Sequence, residues 1–244
     1  HHNRWRKRVT DFDILHDAHN SLAKLKTNHL DIYMLHRDDP SVPVAPIMDA
    51  LNRLVDEGKL GAIGASNWTV ERFEEACEYA VSHGMRSFTV CSPHFSLAEQ
   101  IQDPWGGGCM TLTGPAGAAD RAYYESRGVS VFAYSVMARG FFSGRFTSDQ
   151  PGKAREMMDE AGVKGYCCEA NFERLRRCEI LAREKGLSVA RIAMAWFFNQ
   201  PEERLFALTA PTSRKNMREN VLASETPLTP DERRWLNLET HEQP

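Results

Sequence analysis

The stretch LDIYMLHRDDP, Leu30 to Pro40, decides the fold. Leu30–Leu35 is an apolar run of strand length broken only by Asp31, and it predicts a buried β-strand. Polarity begins abruptly at His36 and continues through Arg37, Asp38 and Asp39. Upstream, Thr10 followed by Asp11 and Asp13 predicts a helix start, with carboxylates beside the positive end of the helix dipole. Ile14, Leu15, Ala18, Leu22 and Leu25 then recur at helical spacing. Downstream of Pro43, Ile47, Leu51, Leu54 and Val55 share one face of a second helix, and Gly58 suits its left-handed cap.

The alternation continues to the end of the chain. Strand GAIGAS at Gly61–Ser66 precedes a helix from Val70 to about His83, and strand SFTVC follows at Ser87–Cys91. The next segment, QIQDPWGGGCMTLTGPAG, is a long loop rich in glycine and proline, of a size that is usually functional or mobile. Helix ADRAYYESRG leads into a strand at Val129–Ser135. Beyond a polar excursion from Thr147 to Gly165 come helices over 169–185 and 189–199, the short strand LFALTA, a helix near Ser213 and a last one after Pro230. Apolar strands alternating with helices describe parallel β/α units with both sheet faces covered. The predicted class is therefore α/β of the (β/α)8 barrel type, as one domain over residues 1–244, with about five of the eight strands a closed barrel needs.

Composition narrows the function classes. The chain has 244 residues, 42% hydrophobic and 26% charged, which fits a globular protein with a substantial core. A net charge of −3 offers no basic excess for nucleic acid and no polybasic anchor for a membrane surface. No apolar run reaches membrane-spanning length. Six scattered cysteines lack metal-ligand spacing and predict reduced thiols in a cytoplasmic protein without a bound metal. The opening HHNRWRKRVT has no initiator methionine, so a processed, tagged or shortened start is expected.

In a parallel β/α array the chemistry sits at the carboxyl ends of the strands. Here those ends are His36, Ser66-Asn67, Ser92-Pro93-His94-Phe95, Tyr134-Ser135 and Ala210-Pro211-Thr212-Ser213. With LDIYMLHRDDP, the segments EGKLGAIGASNW, AYSVMARGFFSG and PTSRKNMRENV make the chain resemble the aldo-keto reductase family, in order as well as in motif. The resemblance corresponds to the later five of that family's eight β/α units. It implies a barrel that binds NADP(H) and interconverts carbonyls and alcohols without a metal.

Carried over residue by residue, the resemblance places His36 where the family orients the substrate carbonyl. Ser66 and Asn67 fall where the nicotinamide carboxamide is held, Tyr134 where a ring stacks on the nicotinamide, and Ser135–Gly144 where the pyrophosphate lies. Thr212, Ser213, Arg214 and Asn216 fall in the segment that meets the adenosine 2′-phosphate, and Glu219 and Asn220 match the pair that meets the adenine. Ser92 stands where the family usually has a glutamine that reaches the carboxamide; it is too short to make the same contact, so weaker cofactor binding or a bridging water is expected. The family's catalytic aspartate, tyrosine and lysine lie on its first three strands, which the given sequence does not include, and HHNRWRKRV resembles the loop leaving the third of them.

Several expectations follow. Tyr33 falls on the face opposite His36 and is expected to pack against a helix. Arg37, Asp38 and Asp39 read as a solvated charge cluster at the site's mouth. Trp68, Phe95 and Trp105 are weighed as pocket residues against plain packing. The alternative to a reductase is a catalytically inactive partial barrel that binds NADPH or partners, with self-association through exposed sheet edges. A different chemistry pairing His36 with Cys91 or His94 has no supporting spacing.

Overall fold

The computed structural model describes residues 7–105 and 107–244. The start HHNRWR, part of the segment read as an entry loop, lies outside the described residues. The fold divides into two compact units: the chain up to Pro93 with Gly108–Met110 and Ala122–Phe132, and His94–Gly107 with Thr111–Arg121 and Ala133–Pro244.

The first unit opens with α1 (Asp11–Leu25), capped by the Thr10 hydroxyl accepting from Asp13 N–H. It continues through β1 (Leu30–Leu35), α2 (Val44–Asp56), β2 (Leu60–Ala65), α3 (Val70–Ser82) and β3 (Val90–Cys91). It also holds most of α4 (Ala118–Ser126) and of β4 (Ser130–Ala133). The strands pair in parallel, β1 with β2, β2 with β3 and β3 with β4, so spatial order follows chain order. Gly64 pairs with Val90, and a Cβ at Gly64 would stand 1.9 Å from the Val90 carbonyl oxygen, so only glycine lets β2 and β3 approach this closely. Ile47, Met48, Leu51, Leu54, Ile63 and Phe73 are fully buried beneath the sheet's helices.

The second unit begins with the loop after β3 and contains α5 (Pro151–Met157), α6 (Glu160–Tyr166), α7 (Glu169–Lys185), α8 (Val189–Phe198), β5 (Leu205–Ala207), α9 (Arg214–Ser224) and α10 (Pro230–Leu236). Leu208 N–H donates to the Ala133 carbonyl at 2.9 Å, which lays the β5 segment beside the end of β4. Phe141, Phe142, Tyr166, Leu175 and Phe197 form its fully buried centre. The segment from Thr147 to Gly165, read as a polar excursion, folds into α5 and α6: Pro151 opens the first, and the Asp159 carboxylate caps the second.

Two expectations need correction. The run Leu30–Leu35 is a strand over the expected residues but not a buried one: only Leu35 is buried, and Ile32 is 42% exposed. Among the described residues β1 pairs on one side only, so one flank stays open to water. β5 behaves alike, with Phe206 at 47% exposure. β3 is also shorter than SFTVC implied, because only Val90 and Cys91 keep regular pairing, although Thr89 still donates to the Ile63 carbonyl.

Candidate functional site

In the first unit, three polar strand ends are joined by a ladder of hydrogen bonds. Asn67 Nδ2 donates to Ser66 Oγ at 2.9 Å, Ser66 Oγ donates to the Ser92 carbonyl at 2.6 Å, and Ser92 Oγ donates to the Phe132 carbonyl at 2.7 Å. Asn67 Oδ1 also accepts from Met110 N–H at 3.1 Å, and Nδ2 reaches the His36 carbonyl at 3.4 Å. Asn67 has φ +61°, a left-handed conformation that asparagine tolerates better than most side chains. Ser66, Asn67 and Ser92 are all buried. The ladder thus fixes the Ser66, Asn67 and Ser92 side chains relative to one another.

His36 sits exposed at the end of β1. Partial desolvation, reinforced by the Arg37 charge, lowers its pKa below the usual 6.5, so the ring is neutral at pH 7. It lines a cleft of about 330 Å³ with Arg8, Asp17, Lys24 and Tyr33. Tyr33 is pushed up to about 12, chiefly by burial and then by the Asp17 charge, so it stays protonated beside α1. Of the charge cluster after His36, Asp38 is not solvated, contrary to expectation, while the bonds that Arg37 makes to Gly108 and Asp39 to Lys7 lie exposed. Asp38 pairs with Arg72 of α3 at 2.7 Å with both side chains largely covered, and Arg37 donates to the Gly108 carbonyl at 2.9 Å. These contacts anchor the loop that follows β1.

The second unit carries the remaining candidates. Tyr134 stands at the end of β4, with the His94 ring centroid 5.8 Å away and the Trp105 ring at 6.1 Å. The turn after it holds Ser135, Ala138 and Arg139 at positive φ, followed by Gly140 and Gly144. Backbone of this kind presents N–H groups on a concave side, the usual cradle for phosphate oxygens. Arg139 pairs with Asp159, and its guanidinium lies 5.2 Å from the Trp105 ring.

At α9, Ser213 Oγ accepts from Asn216 N–H at 3.1 Å, and Asn216 Nδ2 reaches Thr212 Oγ1 at 3.4 Å. Thr212, Ser213, Arg214, Lys215 and Asn216 are exposed. Arg214 and Lys215 have no hydrogen-bond or ion-pair partner among the described residues. Glu219 instead accepts from the Ser188 hydroxyl at 2.7 Å, and Asn220 is half-buried beside it.

Trp68 and Phe95 serve mainly as packing, although Phe95 also borders a small cleft with Arg121 and Trp196. Both are 2% exposed: Trp68 packs edge-on to Phe88 with Arg72 above it, and Phe95 packs on Trp196 and Phe197. Cys91 is sealed in the core, where burial raises its thiol pKa, and His94 is fully buried. Neither is placed to act as a nucleophile or base. Among the described residues no cluster of His, Cys, Asp and Glu could hold a metal ion, and no helix is long and apolar enough to cross a membrane.

A sequence profile of the Aldo/keto reductase family matches residues 2–237. The chain belongs to that family. Versiconal hemiacetal acetate reductase of Aspergillus parasiticus is 28% identical over 227 residues, 91% of this chain and 60% of the relative. L-glyceraldehyde 3-phosphate reductase of Escherichia coli O157:H7 is 26% identical over 209 residues, 83% of this chain and 56% of the relative. Aldo-keto reductase YhdN of Bacillus subtilis is 24% identical over 195 residues, and its matched part is 51% of its length. The chain thus spans between about half and three fifths of these relatives. The crystal structure of the thermostable aldo-keto reductase Tm1743 in complex with the inhibitor epalrestat superposes with a TM-score of 0.67 at 20% identity, covering 95% of this chain and 67% of the other. That likeness supports the parallel α/β architecture.

The interactions that sequence reasoning missed lie between distant residues. Tyr166 meets His94 across 72 positions of sequence, and Asn171 meets Glu99 across the same separation, so no local pattern announces either pair.

Proposed function

We propose that the protein is an NADP(H)-dependent oxidoreductase that interconverts aldehydes or ketones with alcohols. The observation that carries the cofactor reading is the first turn of α9. Arg214 and Lys215 place two unpartnered cations at the positive end of a helix dipole, an arrangement that costs free energy unless an anion sits there. A phosphate monoester, met by a guanidinium and by helix N–H groups, is the natural complement. NADP(H) carries such a group, and NAD(H) does not.

When bound, the nicotinamide would supply a hydride to the carbonyl carbon while water supplies the proton that completes the alcohol, or would take one from the alcohol while its hydroxyl proton passes to water. The residues that the family resemblance matches to it position and polarise. His36, neutral at pH 7, donates a ring N–H to the substrate oxygen and stabilises the charge that develops there. Ser66 and Asn67 offer oxygen lone pairs left over from the ladder to the carboxamide N–H groups, and Ser92, shorter than the family's glutamine, meets the carboxamide through a water. Tyr134 gives its ring face to the nicotinamide, and the turn from Ser135 gives N–H groups to the pyrophosphate. Glu219 and Asn220 meet the adenine edge. The substrate is a small carbonyl compound or its alcohol.

The test is NADPH consumption at 340 nm against a panel of aldehydes and ketones, using the polypeptide isolated from its natural source, with His36→Gln alongside. Loss of one preorganised donor predicts a fall in kcat of about 100-fold with little change in KM for NADPH. If no carbonyl consumes NADPH, or if His36→Gln turns over like the wild type, the reading fails.

A further inference from the structure

The loop after β3 starts at His94, and within the second unit this residue is tied on every side. Its ring is fully buried. Nδ1 lies 2.8 Å from Thr111 Oγ1, while Nε2 lies 3.0 Å from Tyr166 Oη and 3.3 Å from Ser96 Oγ. Ser96 donates its hydroxyl hydrogen to the Ala98 carbonyl at 2.7 Å. Both ring nitrogens have hydroxyl partners, so either neutral tautomer is held in the same plane. Thr111 Oγ1 lies 2.9 Å from Thr113 Oγ1, which accepts from Gln100 N–H at 3.1 Å.

This network ends against Tyr134. His94 makes parallel backbone bridges to both Thr111 and Tyr134, and its carbonyl accepts from Leu112 N–H at 2.8 Å. Its ring is tilted 53° to the Tyr134 ring and 47° to the Tyr166 ring. A hydrophobic side chain of similar size would fill the same space. It would not fix the angle, because only directional bonds to three different partners set the plane of the imidazole.

We propose that His94 is a positioning residue: its imidazole, locked by Thr111, Ser96 and Tyr166, holds the Tyr134 ring at the angle that receives the nicotinamide. This rests on the reading of Tyr134 as the ring that stacks on the cofactor. His94 itself touches neither cofactor nor substrate. Burial holds its pKa at about 3, so the neutral tautomer persists over the whole working pH range.

The two halves of the cofactor separate this role from a general structural one. Calorimetric titration of the protein and its variants with NADPH and with adenosine 2′,5′-bisphosphate, which lacks the nicotinamide, reads them independently. His94→Leu is expected to weaken NADPH about tenfold, the scale of a lost aromatic stack, while the bisphosphate stays within about twofold of wild type. His94→Gln, whose amide carries both a donor and an acceptor for the same partners, recovers most of the loss. Should the leucine variant not fold, Tyr166→Phe carries the test, with an expected loss of about threefold for NADPH alone. Variants that bind both ligands like the wild type, or that lose both in parallel, overturn the proposal. A wild-type protein that binds neither ligand overturns the cofactor reading itself and the proposal with it.

Discussion

At the scale of single residues, the polar strand ends are held by their own hydrogen bonds before they bind anything else. Asn67 illustrates the cost of such preorganisation: it adopts φ +61° so that its carboxamide can reach Ser66, Met110 and the His36 carbonyl. Asn67→Ala should destabilise the fold by about 2–3 kcal/mol, combining lost bonds at a buried site with left-handed strain. Asn67→Gly, which relieves the strain and not the bonds, should recover about 1 kcal/mol of that in urea unfolding. Equal loss in both variants would contradict the share assigned to strain. The placing of His36, Ser66, Asn67 and Tyr134 at strand ends, and of Ser213 at the start of α9, was legible because apolar runs stop there or a helix opens. The fates of Arg37 and Asp38 were not legible, since their partners Gly108 and Arg72 are fixed only by the fold.

At the scale of elements, close approach and ion pairing do most of the selective work. Gly64→Ala would push a methyl into the Val90 carbonyl, where backbone has no room to yield, and should destabilise the protein by at least about 2 kcal/mol by thermal unfolding. A fully stable Gly64→Ala variant would mean that β2 and β3 are not paired as described. On α7, Glu173 is held near pKa 2 by its hydrogen bonds to Arg176 and then Arg177, against a normal value of 4.5. A depressed carboxylate adds stability above pH 4.5 and loses it as pH falls toward 2. Because Glu173 is about a third exposed, the contribution is discounted to about 1 kcal/mol. Urea unfolding should show wild type ahead of Glu173→Gln at pH 7, with the gap closing steadily below pH 4.5. A gap that stays constant down to pH 2.5 would remove the ion pair from the account. The start of α1 was readable from its cap: Thr10, like Thr69, Ser188, Ser213 and Thr229, accepts from the third residue of the helix it opens. α5 and α6 escaped notice because two seven-residue helices give too few turns for periodicity to show.

At the scale of the whole molecule, the order of the parallel strands and the polarity of their carboxyl ends were readable because both follow from local pattern. The exposure of β1 and β5 was not, since burial of a strand depends on what pairs beside it rather than on its own residues. The central claim is a preference for a cofactor bearing a 2′-phosphate, and it rests on the unpartnered cations at the start of α9. The most direct measurement is the ratio of dissociation constants for NADPH and NADH, by calorimetry at one ionic strength, for the wild type and Arg214→Ala. The account predicts NADPH bound at least about tenfold more tightly, with Arg214→Ala narrowing the ratio by weakening NADPH while leaving NADH unchanged. Equal affinities in the wild type, or a ratio indifferent to Arg214, would contradict it.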